Sequence, residues 1–325
     1  MKNTKTLLVP HSMTEAGLSL LRARPDVETV IYQWSIGAEA FRALLPEASG
    51  VALGPTRFSR AEMEAAPVME VVGRIGVGFD AVDIPVLNER RVPLMIAGTA
   101  NSTSVAEHAV FMMMAVAKRA LELHARTRDG LWHDRTSALP REMSGSTVLV
   151  IGFGRIGSRT APRCAAFGME VLVFDPFVPA ERVRAAGFEA VADLDAGLAR
   201  ADYVTIHCPR TPQTVGLFDA ARLGRMKRGA VLVNTARGGI VDEAALLGAL
   251  RSGHLSGAGL DVMATEPQGA GNPVLQQPTV ISSPHIAGVT VEALDAMSVA
   301  TARNMLSVLD GAPIRENVVN QEVLG

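Results

Sequence analysis

The chain alternates short β-branched apolar runs with segments whose apolar positions recur at helical spacing, the pattern of an α/β architecture. Residues 6–9, 50–53, 68–74 and 94–96 predict strands of a first block that ends near residue 100, with amphipathic segments such as 38–45 between them. A second block starts at 147–151 and predicts further strands at 171–174, 203–206, 230–233, 257–260 and 280–282. Helices fit between these, for example over 243–250, with Asp242 as a candidate N-cap and Gly253 near the stop.

A helical stretch over about 104–131 separates the blocks. Thr103 and Ser104 are cap-type residues, and Glu107 sits where a reciprocal capping partner is expected. Val105, Ala109, Met112, Val116 and Ala120 form one apolar face, but Val110, Met113 and Ala117 form another. A helix apolar most of the way round is buried on more than one side, between elements or against a second subunit. The last helix is expected over 291–309, between Thr290 and Gly311, late enough to return to the first block. The expected division is therefore 1–101 with 289–325 as one domain and 102–288 as the other. The expected fold class is α/β, two Rossmann-like doubly wound parallel sheets with one domain inserted into the other.

Composition supports two cores and excludes some partners. At 325 residues the chain is long enough for two domains of about 150 residues each. With 48% hydrophobic and 20% charged residues it is not disordered. A net charge of −2 offers no bulk attraction for nucleic acid or an anionic membrane. Cys164 and Cys208 make no disulfide framework and have no metal-ligand spacing, so they read as reduced thiols, and no metal is expected. The opening apolar run is too short for a signal peptide, and 109–117 is too short to span a bilayer. These features predict a cytoplasmic protein without a membrane partner.

The sharpest motif is GFGRIG, with glycines at 152, 154 and 157. It follows an apolar strand and enters a helix, and the next strand ends in Asp175, 18 residues beyond the last glycine. Gly152 permits the tight turn, Gly154 lets backbone approach a pyrophosphate, and Gly157 allows close helix–sheet packing. The helix N-terminus presents free N–H groups to the phosphates. Asp175 accepts hydrogen bonds from ribose hydroxyls and repels a 2′-phosphate, which favours NAD over NADP. Arg182 and Arg210 temper that preference.

Three further segments fall at expected strand ends: Asn234 to Gly239, Asp261 to Pro267, and Ser283 to Gly288. Hydride exchange between a nicotinamide and a hydroxy or keto acid needs a cationic fork for the carboxylate and a group to carry the alcohol proton. Arg237 suits the first role and His285 the second, with Glu266 to orient the imidazole. Singly, each has an ordinary reading as a surface arginine, a loop carboxylate or a core histidine. Together, behind a dinucleotide motif, they point to catalysis. The other histidines (His11, His108, His124, His133, His207 and His254) show no such association.

Over nearly its whole length the chain resembles the D-isomer-specific 2-hydroxyacid dehydrogenase family. The resemblance implies that Arg237, Glu266 and His285 form the catalytic set. It also implies cofactor contacts at Arg155, Ile156, Asp175, Cys208, Pro209, Thr214, Thr235, Ala236, Asp261 and Gly288, with Thr103 near the nicotinamide. The loop around Val77 and Gly78 is similar to the one whose backbone N–H groups meet the substrate carboxylate. Within the family, Arg57, Arg74, Trp132 and Arg135 resemble positions of the 3-phosphoglycerate dehydrogenase branch, where arginines receive a distal anion. Ala81 stands where that branch commonly has asparagine, and Arg210 replaces an apolar residue usual after the Cys-Pro pair.

The resemblance implies an NAD-dependent enzyme acting on a small 2-hydroxy or 2-keto acid, and a homodimer joined through the cofactor domains. A second reading stays open: an NAD(H)-sensing regulatory or scaffold protein on the same fold. Formate oxidation is disfavoured because the Glu266–His285 pair would be superfluous. Phosphite oxidation is disfavoured because the 74–78 loop lacks a lysine.

Overall fold

The computed structural model describes residues 4–325. It forms two compact units, one comprising the chain up to Asn101 together with Val289–Gly325, the other Ser102–Gly288.

The first unit is built on a five-stranded parallel sheet of β1 (Lys5–Pro10), β2 (Val27–Tyr32), β3 (Ala48–Leu53), β4 (Val71–Arg74) and β5 (Leu94–Ile96), in the order β2-β1-β3-β4-β5. β2 is not among the strands expected from the hydrophobic pattern. It is an edge strand, and the exposed Glu28 interrupts its apolar run. Residues 68–70 are not strand: Met69 donates back to the Ala66 carbonyl in a turn beside Pro67.

The Val291–Leu309 helix belongs to this unit and is capped by Thr290, whose Oγ1 accepts from the Ala293 amide at 3.1 Å. Glycine makes its close approach possible. A Cβ at Gly17 would lie 2.6 Å from the Ser298 carbonyl oxygen, and one at Gly73 would lie 3.0 Å from Met305. Buried Asn304 donates to the Ile96 carbonyl at 2.8 Å, and Thr301 donates to the Arg74 carbonyl at 3.0 Å. These bonds satisfy strand-end carbonyls that would otherwise be stranded next to an apolar helix.

The second unit carries a seven-stranded parallel sheet of β6 (Thr147–Ile151), β7 (Glu170–Phe174), β8 (Glu189–Ala190), β9 (Tyr203–Ile206), β10 (Ala230–Asn234), β11 (Leu255–Leu260) and β12 (Val280–Ser282). The order is β12-β11-β10-β9-β6-β7-β8. Val148, Val150, Val171 and Val173 face one apolar cluster, while Leu149, Ile151 and Leu172 face another. Both faces are covered, which is why these strands are continuous apolar runs rather than alternating ones. The chain order reverses between β6 and β9, and open α/β sheets bind ligands at the carboxyl ends of strands beside such a switch.

The Ser102–Ala117 helix packs across β11, where a Cβ at Gly259 would lie 2.7 Å from Met112 and one at Gly257 would lie 2.6 Å from Val116. The expected single helix is interrupted: Arg119 adopts φ +49°, and a separate helix runs from Ala120 to Arg128. The helix also starts at Ser102, so Glu107 lies beyond its first turn. Its Oε1 accepts from Arg163 Nη2 at 3.1 Å and is not a capping partner.

Candidate active site

The glycine motif forms the turn from β6 into the Gly157–Ala166 helix. Gly152 has φ +91°, and a Cβ there would press on the His207–Cys208 backbone at 2.9 Å, so only glycine fits. A Cβ at Gly157 would sit 1.9 Å from the Gly152 carbonyl oxygen. Gly154 differs: it is exposed, and a Cβ there would have no protein atom within 4 Å. Two of the three glycines therefore serve the fold, and the third faces open space where a ligand's phosphates can approach.

Asp175, just past β7, ties this turn down. Its Oδ2 accepts from the Phe153 amide at 2.7 Å and its Oδ1 from the Phe177 amide at 2.9 Å. A carboxylate has about four acceptor positions, so capacity remains for hydroxyl donors.

Past β9 and β10 the chain places His207, Cys208, Thr235 and Ala236 at neighbouring strand ends, since Ile206 and Asn234 are paired. The Thr235 Oγ1 and His207 Nδ1 are buried without a protein partner. Buried polar atoms are nearly always satisfied, so two orphans beside the switch point fit a bound polar molecule. His207, set aside in the sequence, thus enters the site region. Its Nε2 lies 3.0 Å from Thr205 Oγ1, and burial pushes its pKa down to about 3, so the ring stays neutral. Burial pushes the Cys208 thiol up to about 11, with the Asp175 charge adding to the effect. Thr214 closes its own loop, donating to the Pro209 carbonyl at 2.7 Å.

After β10, Asn234 folds the chain back. Its side chain accepts from the Ala236 amide at 3.0 Å and donates to the Arg237 carbonyl at 2.9 Å. Half-buried Arg237 donates from Nη1 to the Ala236 carbonyl at 2.7 Å. Gly238 is forced: a Cβ would strike the Met263 carbonyl oxygen at 1.8 Å. That contact sets the Arg237 turn directly against the loop that follows β11.

This loop carries Glu266, whose Oε1 accepts from the Met263 amide at 2.9 Å. Its Oε2 lies 2.6 Å from His285 Nδ1. The loop itself is held from the Glu243–Arg251 helix, where Glu243 accepts from the Ala264 amide at 2.6 Å and from Asn272 at 2.9 Å. His285 has φ +53°, a conformation that costs a non-glycine residue on the order of 1 kcal/mol or more and concentrates at functional sites. Asp261, only 2% exposed, enforces it. Its carboxylate accepts from Ser283 Oγ at 2.5 Å and from the Ile286 and Ala287 amides at 2.8 and 2.9 Å, while its carbonyl accepts from the His285 amide at 2.8 Å. The result is an exposed imidazole with one nitrogen on a carboxylate and the other edge turned outward.

Thr103 is exposed in the first turn of the Ser102–Ala117 helix, Arg155 is exposed and Ile156 half-buried in the glycine turn, and Gly288 ends the unit. Trp132 and Arg135 are exposed beyond the Ala120–Arg128 helix. In the first unit, Arg57 is exposed after β3. Arg74 Nη1 donates to the Leu53 and Ile75 carbonyls at 3.2 and 2.8 Å, and Val77 and Gly78 are half-buried in the turn after β4. Arg74 is thus partly committed to joining the ends of β3 and β4. Among the described residues no cluster of metal-ligating side chains occurs, and no helix is long and apolar enough to cross a membrane.

Residues 110–287 match the profile of the D-isomer specific 2-hydroxyacid dehydrogenase NAD-binding domain, more than half of the chain, and the protein belongs to that family. Its second unit is accordingly an NAD-binding domain. A D-3-phosphoglycerate dehydrogenase from Archaeoglobus fulgidus is 36% identical over 314 residues, covering 97% of this chain but 59% of that protein. The chain thus spans about three-fifths of the length of the curated relatives it matches. A solved structure of a Thermus thermophilus protein superposes with a TM-score of 0.87 at 33% identity, covering 97% of this chain and 99% of the other. D-lactate dehydrogenase from Aquifex aeolicus, solved with NAD and lactic acid, superposes with a TM-score of 0.84 at 27% identity, covering 99% of each chain.

Proposed function

We propose that this protein is an NAD-dependent dehydrogenase that interconverts a small D-2-hydroxy acid and its 2-keto acid. The observation that carries the proposal is the short Glu266–His285 contact on a histidine held out toward solvent. The orphaned Thr235 hydroxyl, the open space over Gly154 and the acceptor capacity of Asp175 fit the nicotinamide dinucleotide. Bound NADH would supply the hydride to the carbonyl carbon. In reduction, Arg237 would hold the substrate carboxylate and polarise the keto oxygen. Protonated His285 would give its Nε2 proton to that oxygen, with Glu266 fixing the ring through Nδ1 and stabilising the imidazolium. In oxidation His285 would take the alcohol proton back.

The substrate class we favour is a three-carbon acid with a phosphorylated or hydroxylated far end. The similarity to phosphoglycerate dehydrogenases supports that choice over lactate-like acids. We further propose a homodimer through the second unit, where Phe111, Leu121, Leu131, Trp132 and Leu139 are each more than half exposed. A wild-type protein that sediments as a dimer and a Leu121→Asp variant that sediments as a monomer would support this; a monomeric wild type, or a variant that stays dimeric, would count against it. The two free thiols suit a cytoplasmic setting.

The test is NADH and NADPH oxidation against glyoxylate, hydroxypyruvate, pyruvate, phenylpyruvate and phosphohydroxypyruvate. Turnover with NADH that disappears in His285→Ala, with NADH binding retained, is the expected result. Tight NADH binding with no turnover of any acid would favour a cofactor sensor instead.

A further inference from the structure

We infer that His108 is a positioning residue for His285, acting through Ser283 and Asp261; this rests on the dehydrogenase reading above. His108 lies on the Ser102–Ala117 helix, and its Nε2 is 2.9 Å from Ser283 Oγ. Ser283 Oγ is in turn 2.5 Å from Asp261 Oδ1, and His108 Nε2 is 3.9 Å from the same oxygen.

The protons in this chain can be assigned. An ionised carboxylate only accepts, so Ser283 spends its single hydroxyl proton on Asp261. The Ser283 oxygen is then an acceptor, and His108 must present Nε2–H to it. Asp261 is left to accept from the serine and from the Ile286 and Ala287 amides, which flank His285 on its far side. The loop bearing His285 is therefore gripped on both sides of its φ +53° residue: the carboxylate holds one arm, and the serine, braced by His108, holds the other.

The brace has a firm footing. Four residues further along, Met112 of the same helix packs on Gly259 of β11, the strand that leads into Asp261. Phe111 lies beside the His108 ring, with ring centroids 5.6 Å apart. Helix, strand end and histidine loop form one closed circuit, and His108 is the link between helix and loop. Sequence separation hides it, because His108 and Ser283 lie far apart along the chain.

The experiment uses the full-length protein with NADH and the best keto acid from the panel. In His108→Leu, kcat is expected to fall about ten- to a hundredfold, the scale of a small misplacement of a reacting group, while KM and NADH affinity by fluorescence titration stay close to wild type. His108→Gln places an Nε2–H donor at a similar reach and is expected to restore most of kcat. Ser283→Ala should resemble His108→Leu, and the double variant should be no worse than either, since both break the same link. Wild-type kcat in His108→Leu, failure of the glutamine to rescue, or additive losses in the double variant would each overturn the inference. Should the leucine variant not fold, the glutamine and Ser283→Ala arms decide alone. If His285→Ala keeps full turnover, the dehydrogenase assignment itself has failed, and the inference falls with it for that separate reason.

Discussion

The Nδ1 atom of His285 and the Oε2 atom of Glu266 are 2.6 Å apart, and the other glutamate oxygen is held by the Met263 amide. The glutamate is therefore oriented before any ligand arrives, and its charge is aimed at one ring nitrogen. In Glu266→Gln the side-chain oxygen can still hold the ring, but the charge that stabilises an imidazolium is lost. We expect kcat for keto-acid reduction to drop by about one to two orders of magnitude, the usual scale for a group supporting acid–base chemistry. NADH affinity should be unaltered, as stopped-flow binding and steady-state kinetics on one preparation would reveal.

Gly154 and Gly157 should separate binding from folding. Nothing in the protein opposes a Cβ at Gly154, whereas one at Gly157 meets the Gly152 carbonyl at 1.9 Å. Gly154→Ala is expected to melt at the wild-type temperature and bind NADH at least about tenfold more weakly, because backbone approach to the pyrophosphate is blocked. Gly157→Ala should instead lose about 1–3 kcal/mol of stability from overpacking. Thermal melts with and without NADH would show whether the two effects part in this way.

Asp175 both anchors the glycine turn and discriminates the cofactor. Asp175→Ser removes the negative charge and one of the two oxygens that hold the Phe153 and Phe177 amides. The NADPH-to-NADH ratio of kcat/KM is expected to rise by at least about tenfold, with stability falling by about 1–3 kcal/mol for the amide left without its acceptor. An unchanged ratio would mean that this carboxylate does not face the ribose.

His207 predicts an acid sensitivity. Its pKa is about 3 when folded against an ordinary value of 6.5, so below pH 6.5 the unfolded chain binds a proton that the folded chain refuses. Stability should therefore fall as pH drops from about 6.5 toward 3, by up to about 1.4 kcal/mol per pH unit from this group. Above pH 6.5 both states are neutral and the term vanishes. Urea unfolding from pH 7 to 4 should show a shallower loss in His207→Gln than in wild type.

Much of this was legible in the sequence, and the gaps have physical causes. The strands of the second unit stand out because both faces of the sheet are covered, making β6, β7 and β10 uninterrupted apolar runs. The edge strand β2 escaped because Glu28 dilutes it and solvent takes one of its sides. The break at Arg119 escaped because the residues on either side of it keep good helix propensity. Asp175 announced itself by spacing from the glycines, a local relation. His108 and His207 could not, since one is defined by a serine far along the chain and the other by a buried atom without a partner.

The helix Val291–Leu309 completes a unit whose five strands all precede residue 102. A ribosome working from the N-terminus therefore releases the entire second unit before the first can close over Met305. Until then Leu7, Gly50 and Gly73 present an uncovered apolar face. The nascent first sheet is consequently a stretch of chain that needs shielding for as long as synthesis takes to deliver the helix. Mutations that weaken the seat of Met305 should appear in cells first as low yield, and only later as a lowered melting temperature.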